Sequence, residues 1–203
     1  MFLKYIFRRI VLCLKKNRYK KIIVLALFGA VSLILMQFEF PIIPMFPYLK
    51  FDFSDIMVVI GGGLFGPVGA VLTAVIKVFL NFVLFGGNVV SLIGMSSSLL
   101  ASLAFALPLT VTLKNDTTWN WIKSSGLSVL SLTVLLSVGN WLIFTPLYIN
   151  LLNFNLGTSL VNYVLTAIVP FNLVKGVILS ITSVIVYRLV ITKLKRMLEV
   201  SNK

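Results

Sequence analysis

Asn172 and Lys175 stand three residues apart in the run Pro170-Phe171-Asn172-Leu173-Val174-Lys175-Gly176, in a stretch otherwise free of charge. On a helix that spacing puts both side chains on one face, so an amide and an ammonium converge on one target. The amide offers a donor and an acceptor, and the ammonium offers three donors. An ammonium at the centre of a bilayer costs roughly 2.5 to 3.5 kcal/mol on insertion scales, so such a residue faces a cavity, a partner or a ligand. A structural reading stands beside this one: Lys175 pairs with Asp52 or Asp55, and Asn172 bonds a neighbouring helix.

Other polar groups fall at a similar depth. Ser54 and Asp55 begin the second helix, where either one suits a helix cap or a ligand contact. Asn140 and Trp141 lie near the outer end of the fifth helix. Lys77 and Asn81, four apart on the third, form a further polar face that reads as structural. The chain has no histidine and a single cysteine, Cys13. A histidine-based zinc site, a Ser-His-Asp triad and a Cys-His pair are therefore ruled out within it. Asp52 and Asp55 are spaced for a cap or for a magnesium or acid-base pair. No phosphate-gripping Gly-x-x-x-x-Gly-Lys-Ser/Thr motif occurs, so the chain is expected to be no enzyme and to hydrolyse no ATP alone. The glycines Gly62 and Gly66, with Ala70, recur at four-residue spacing and suit close helix packing.

The elements that must position these groups are membrane helices. Hydrophobic residues make up 59% of the 203 and charged residues 11%, too little polarity to dress a soluble globule. The uncharged stretch from Ser124 to Val174 alone must hold two spans and a loop. The first 21 residues carry eight Lys/Arg and the last 16 carry five, which puts both termini in the cytoplasm and makes the number of crossings even. The expectation is an all-α membrane protein, a six-transmembrane-helix bundle with spans near 22–40, 54–66 (a short second helix), 68–85, 88–113, 126–146 and 159–187. Residues 1–21 read as a basic amphipathic segment on the inner leaflet, 22–187 as the transmembrane domain and 188–203 as a basic tail. The net charge of +13 is explained by the positive-inside rule, so nucleic acid is not an expected partner and the lipid bilayer is.

The outer loop from Phe40 to Asp55 has three prolines and five aromatics besides Met45, a composition costly to leave in water. It is expected to fold down as a lid or to lie in the membrane interface. On the first helix Ala26, Gly29 and Ala30 make a small-residue patch, suited to packing within the chain or against a partner helix.

With these features the chain resembles the substrate-binding S components of energy-coupling factor (ECF) vitamin transporters, most closely their riboflavin-specific branch. The likeness rests on the six-span layout, the Ala26-x-x-x-Ala30 patch, and the loop from Phe40-Pro-Ile-Ile-Pro to Leu49-Lys-Phe-Asp-Phe-Ser-Asp55. It rests also on Phe65-Gly-Pro67, Ile76-Lys77, Asn140-Trp141 with Pro146, and Pro170-Phe171-Asn172 with Lys175. The resemblance implies that Asp55, Asn140, Asn172 and Lys175 bond the isoalloxazine ring while Met45 and Lys50 close over it. Phe46, Leu49 and Trp141 would supply apolar walls. It implies a bacterial cell membrane, no cofactor, and a transmembrane coupling subunit (T component) that meets Ala26 and Ala30 and is driven by two ATPase subunits. An S component for pantothenate, thiamine or folate is the alternative within the class, and an autonomous channel or secondary carrier the alternative outside it. Three outer acids against Lys50, with no arginine cluster, predict that riboflavin binds far better than its phosphate ester.

Overall fold

Without water, each backbone N–H and C=O must be satisfied inside its own segment, so long uncharged runs become helices. The computed structural model, which describes residues 18–43, 46, 49–113, 117–152 and 156–191, has six of them. The first four are α1 (Arg18–Met36), α2 (Ser54–Phe65), α3 (Pro67–Phe85) and α4 (Val89–Thr112). Helix α5 runs through Thr118–Gly139, a π-helical turn at Asn140–Phe144, and Thr145–Leu152. Helix α6 comprises Leu160–Tyr163, a π-turn at Val164–Ile168, Val169–Val186 and a last π-turn at Tyr187–Ile191. The segment before residue 18, the tail after 191, Cys13, Met45 and Lys114 lie outside the described residues.

Helices α3 to α6 are long and apolar enough to cross a membrane, whereas α1 and α2 are shorter. The 12 residues of α2 extend about 18 Å at 1.5 Å per residue, short of a hydrocarbon core of about 30 Å. Three helices differ in their bounds from the sequence expectation by more than a residue. Helix α1 runs 18–36 rather than 22–40, α5 runs 118–152 rather than 126–146, and α6 ends at 191 rather than 187. The early start of α5 has a physical cause: Lys123 does not stop the helix, because its ammonium reaches back 4.9 Å over the Trp119 ring while its stem lies along the helix. Thr117 caps this start, its hydroxyl accepting from Asn120 N–H.

The loop after α1 is not wholly irregular. Phe40–Pro41 (β1) pairs antiparallel with Lys50–Phe51 (β2), a ribbon absent from an all-helical expectation. Phe51 is fully buried, with the Phe40 and Phe53 rings edge-on at 5.6 and 4.9 Å. Among the described residues the loop does fold down, since Phe46 and Leu49 pack on Tyr163, Val164, Ala167 and Ile168 of α6. The N-cap position of α2 is neither Ser54 nor Asp55 but Phe53, and Asp52 just before it accepts from Ser54 N–H through Oδ1 at 2.7 Å.

Helix α2 is the centre of the bundle and packs against α1, α3, α4 and α6. Glycines bring α2 and α3 together, since a Cβ on Gly62 would lie 3.1 Å from that of Ala70 and one on Gly61 would lie 3.1 Å from Gly69 O. Gly66 serves the turn instead, at φ +76°, and Pro67 then opens α3. The small patch on α1 divides. Gly29 is buried against Ile76, whose Cβ would be 2.8 Å from an added methyl, while Ala26 is exposed and Ala30 half-buried. Gly29 thus belongs to packing within the chain, a correction to its place in a partner surface. Gly29→Leu is expected to cost about 1 to 3 kcal/mol of stability through overpacking, and Ala26→Leu close to nothing. Thermal unfolding of the two purified variants in detergent checks the contrast.

Candidate functional site

The groups singled out on α2, α3 and α6 meet at a buried ionic cluster. Lys77 Nζ lies 3.0 Å from Asp55 Oδ1, 3.1 Å from Ser54 Oγ and 2.7 Å from Ser102 Oγ, which fills its three donors. Ser102 donates to the same Asp55 oxygen at 2.5 Å. On the other side of the carboxylate, Lys175 Nζ stands 3.8 Å from Asp55 Oδ2, within ion-pair range but too far for a hydrogen bond. Lys77 is 0% exposed and Asp55 2%, so neither could stay ionised here without the other.

Above this cluster opens a cavity of about 640 Å³. Every element that walls it contributes from the same end of the bundle: Met36 and Gln37 after α1, Leu49 and Lys50 in the ribbon, Phe85 at the end of α3, Val90 at the start of α4. Its volume falls within the range of small-molecule sites. Asn140, Phe144 and Tyr148 of α5 face Ile168, Phe171, Asn172 and Lys175 of α6 across it. Asn172 is 1% exposed, yet among the described residues neither its Nδ2 nor its Oδ1 has a hydrogen-bond partner. An amide buried without partners loses the full desolvation cost of both ends, about 1 to 3 kcal/mol each. A group tolerated at that cost, aimed into a cavity beside an ammonium with donors to spare, is placed to receive a polar ligand.

The structure brings together some of the residues expected at the site and separates others. Leu49, Lys50, Asn140, Asn172 and Lys175 line the cavity. Asn140 differs from Asn172 in being satisfied already: its Nδ2 donates to Leu136 O at 2.8 Å, and Thr145 Oγ1 donates to its Oδ1 at 3.4 Å. Asp55 lies beneath the lining and reaches the cavity through Lys175. Phe46 stacks edge-on to Tyr163, 6.2 Å between centroids, and does not line the cavity. Trp141 does not line it either. It is 48% exposed beside Leu142 and Ile143 on the outer surface of α5, because successive helical residues point about 100° apart and an inward Asn140 turns its neighbour away. Aromatic walls come instead from Phe144, Tyr148 and Phe171. Lys77 and Asn81 also part: Lys77 is held inside the ion cluster away from the cavity, whereas Asn81 lines it.

The expectation of an acidic mouth does not hold. Lys50 pairs with Glu39 and Asp55 with both Lys77 and Lys175, so, counting Asp52, the three outer acids are matched in number by three lysines. Of the candidate metal pair, Asp55 has both oxygens facing lysines, while Asp52 accepts from Ser54 N–H through Oδ1 and lines the cavity. Replacing Asn172 by leucine should leave the ligand-free protein as stable as wild type or more so, by up to about 2 kcal/mol, because two unpaired polar atoms are removed from the interior. Thermal unfolding of the ligand-free variant measures this; a marked drop would mean that Asn172 has a structural partner.

Comparison with known proteins agrees with this architecture. Residues 20–187 match the family described as ECF transporter, substrate-specific component. The riboflavin transporter RibU of Staphylococcus aureus is 30% identical over 185 residues, covering 90% of this chain and 96% of its own. RibU of Streptococcus thermophilus is 33% identical over 171 residues, 83% of this chain and 81% of its own. A solved S component of a bacterial ECF transporter superposes with a TM-score of 0.72 at 28% identity, over 88% of this chain and 99% of that one. With its six apolar helices and a match running from the start of α1 into the last turn of α6, this multi-pass bacterial membrane protein belongs to the ECF transporter substrate-specific component family.

Proposed function

We propose that the chain is the riboflavin-binding S component of an ECF importer, taking the vitamin from outside and delivering it inward with a coupling subunit and its two ATPases. The observation that carries this reading is the unpartnered Asn172 amide beside Lys175 in an aromatic-walled cavity. The uracil-like edge of a flavin presents carbonyl, N–H and carbonyl in a row. Asn172 Nδ2 donates to one carbonyl, its Oδ1 accepts the N–H, and Lys175 donates to the other carbonyl, so both orphaned ends are satisfied at once. Phe144, Phe171 and Tyr148 cover the ring, and Asn81, Ser91 and Ser98 on the α3 and α4 walls suit the hydroxyls of the ribityl chain. Asn140 can join only by giving up its present bonds, and Asp55 acts by setting the position of Lys175. Leu49 and Lys50 close the cavity from the ribbon side. Among the described residues no arginine lines the cavity and both its lysines face carboxylates, which still favours the vitamin over its phosphate ester.

Orientation follows from charge. The start of α1, the start of α5 and the end of α6 lie at the end remote from the cavity and carry Lys21, Lys123 and Arg188, so that end is cytoplasmic and the cavity opens outward. The exposed strip around Ala26 and Ala30 on α1 is where a coupling helix can approach closely.

Lys175→Met should weaken riboflavin binding about 10- to 150-fold, the loss of a charged donor worth about 1.5 to 3 kcal/mol, while leaving membrane insertion intact. Quenching of flavin fluorescence by the purified variant measures it, and unchanged affinity would assign Lys175 to structure alone. Ala26→Trp with Ala30→Trp should spare this binding and abolish cellular uptake; uptake at the normal rate would remove the strip from the coupling surface.

A further inference from the structure

We infer that Lys77, which does not line the cavity, is a positioning residue for the ligand site, because it holds Asp55 and so keeps the Lys175 ammonium available. The inference rests on the reading that Lys175 donates to the ligand.

One carboxylate lies between two cations. Lys77 has the closer contact, at 3.0 Å to Oδ1, and Lys175 stands back at 3.8 Å from Oδ2. The advantage of Lys77 is built from several elements: Ser54 of α2 and Ser102 of α4 complete its shell, and Ser102 adds a second donor to the same carboxylate oxygen. The α2 backbone beneath is tied to α1, where buried Ser32 Oγ donates to Ser54 O at 2.7 Å. Asp55 therefore cannot swing toward Lys175 without breaking contacts to α3 and α4.

A buried carboxylate with a single cationic neighbour draws it into a charge-assisted hydrogen bond of about 2.7 to 2.9 Å. Were Lys77 neutral, the remaining cation at Asp55 would be Lys175. The carboxylate would then capture that ammonium, moving it away from the cavity and from Asn172. With Lys77 in place the negative charge is shared, so Lys175 has a counter-charge nearby and its donors remain unspent. On this account the Lys77 ammonium matters to the ligand through charge alone, at a distance, and removing the charge of Asp55 as well should undo most of the damage.

The test is a riboflavin titration, read by flavin fluorescence quenching, of the purified full-length chain as wild type, Lys77→Met, and Lys77→Met combined with Asp55→Asn. Lys77→Met should bind about 10- to 150-fold more weakly, and the double variant within about 5-fold of wild type. A merely structural role would shift the thermal unfolding of the ligand-free variants and leave the riboflavin affinity of the folded protein unchanged. Wild-type affinity in Lys77→Met, or a double variant no tighter than the single, overturns the inference. If Lys77→Met does not accumulate in membranes, the double variant decides: near-wild-type binding supports the inference, and a loss beyond about 10-fold overturns it. Lys175→Met in the same series isolates the premise, for if it binds normally the vitamin-site reading fails whatever the Lys77 variants do.

Discussion

Three ionisable groups held below the membrane surface constrain this fold more than any apolar contact. Asp55 begins the central helix, Lys77 comes from α3 and Lys175 from α6, and each is buried at a depth where an isolated charge would cost several kcal/mol. They are tolerable only together. Their meeting requires α2 to start well inside the bilayer, which its length of 12 residues allows, and requires α3 to lie close enough for a lysine stem to reach, which Gly61, Gly62 and Gly69 permit. The small residues, the short helix and the ribbon that roofs it follow from that arrangement.

The site is this cluster extended toward the cavity. Lys77 neutralises Asp55 from below, and Asp55 steadies Lys175 from the side. Asn172 is left with both ends of its amide unpaired, at the wall of a space large enough for a vitamin. An interior normally satisfies its polar groups, so the stability lost at Asn172 is best understood as recovered on binding. The two π-turns at this depth belong to the same design. A π-turn widens the helix by one residue, and that at Asn140–Phe144 lies within the cavity-lining face of α5 while that at Val164–Ile168 lies where the face of α6 begins.

Much of this was legible in the chain because charge is so scarce in it. Asn172 and Lys175 stood out as polar residues in an apolar run, and six helices followed from uncharged stretches and the distribution of lysine and arginine. What escaped depended on geometry between segments. That Asp55 pairs with Lys77 is a matter of α2–α3 register, set by glycines whose sequence spacing suggested a different trio. Trp141 was misjudged because neighbouring helical residues point about 100° apart and Asn140 takes the inward place, and Gly29 because small residues pack equally well inward or outward. Leu136, Asn140, Phe144 and Tyr148 recur every four residues, and Ile168, Phe171, Asn172 and Lys175 at three and four, but ordinary core packing has the same period.

The account stands or falls on whether the outward cavity holds one flat, hydrogen-bonding vitamin. The most direct measurement is the visible absorption spectrum of the full-length protein purified in mild detergent from cells supplied with riboflavin, compared with its protein concentration. A yellow protein carrying close to one flavin per chain, retained through gel filtration, is the predicted result. A colourless protein that takes up no flavin when riboflavin is added in excess would contradict it.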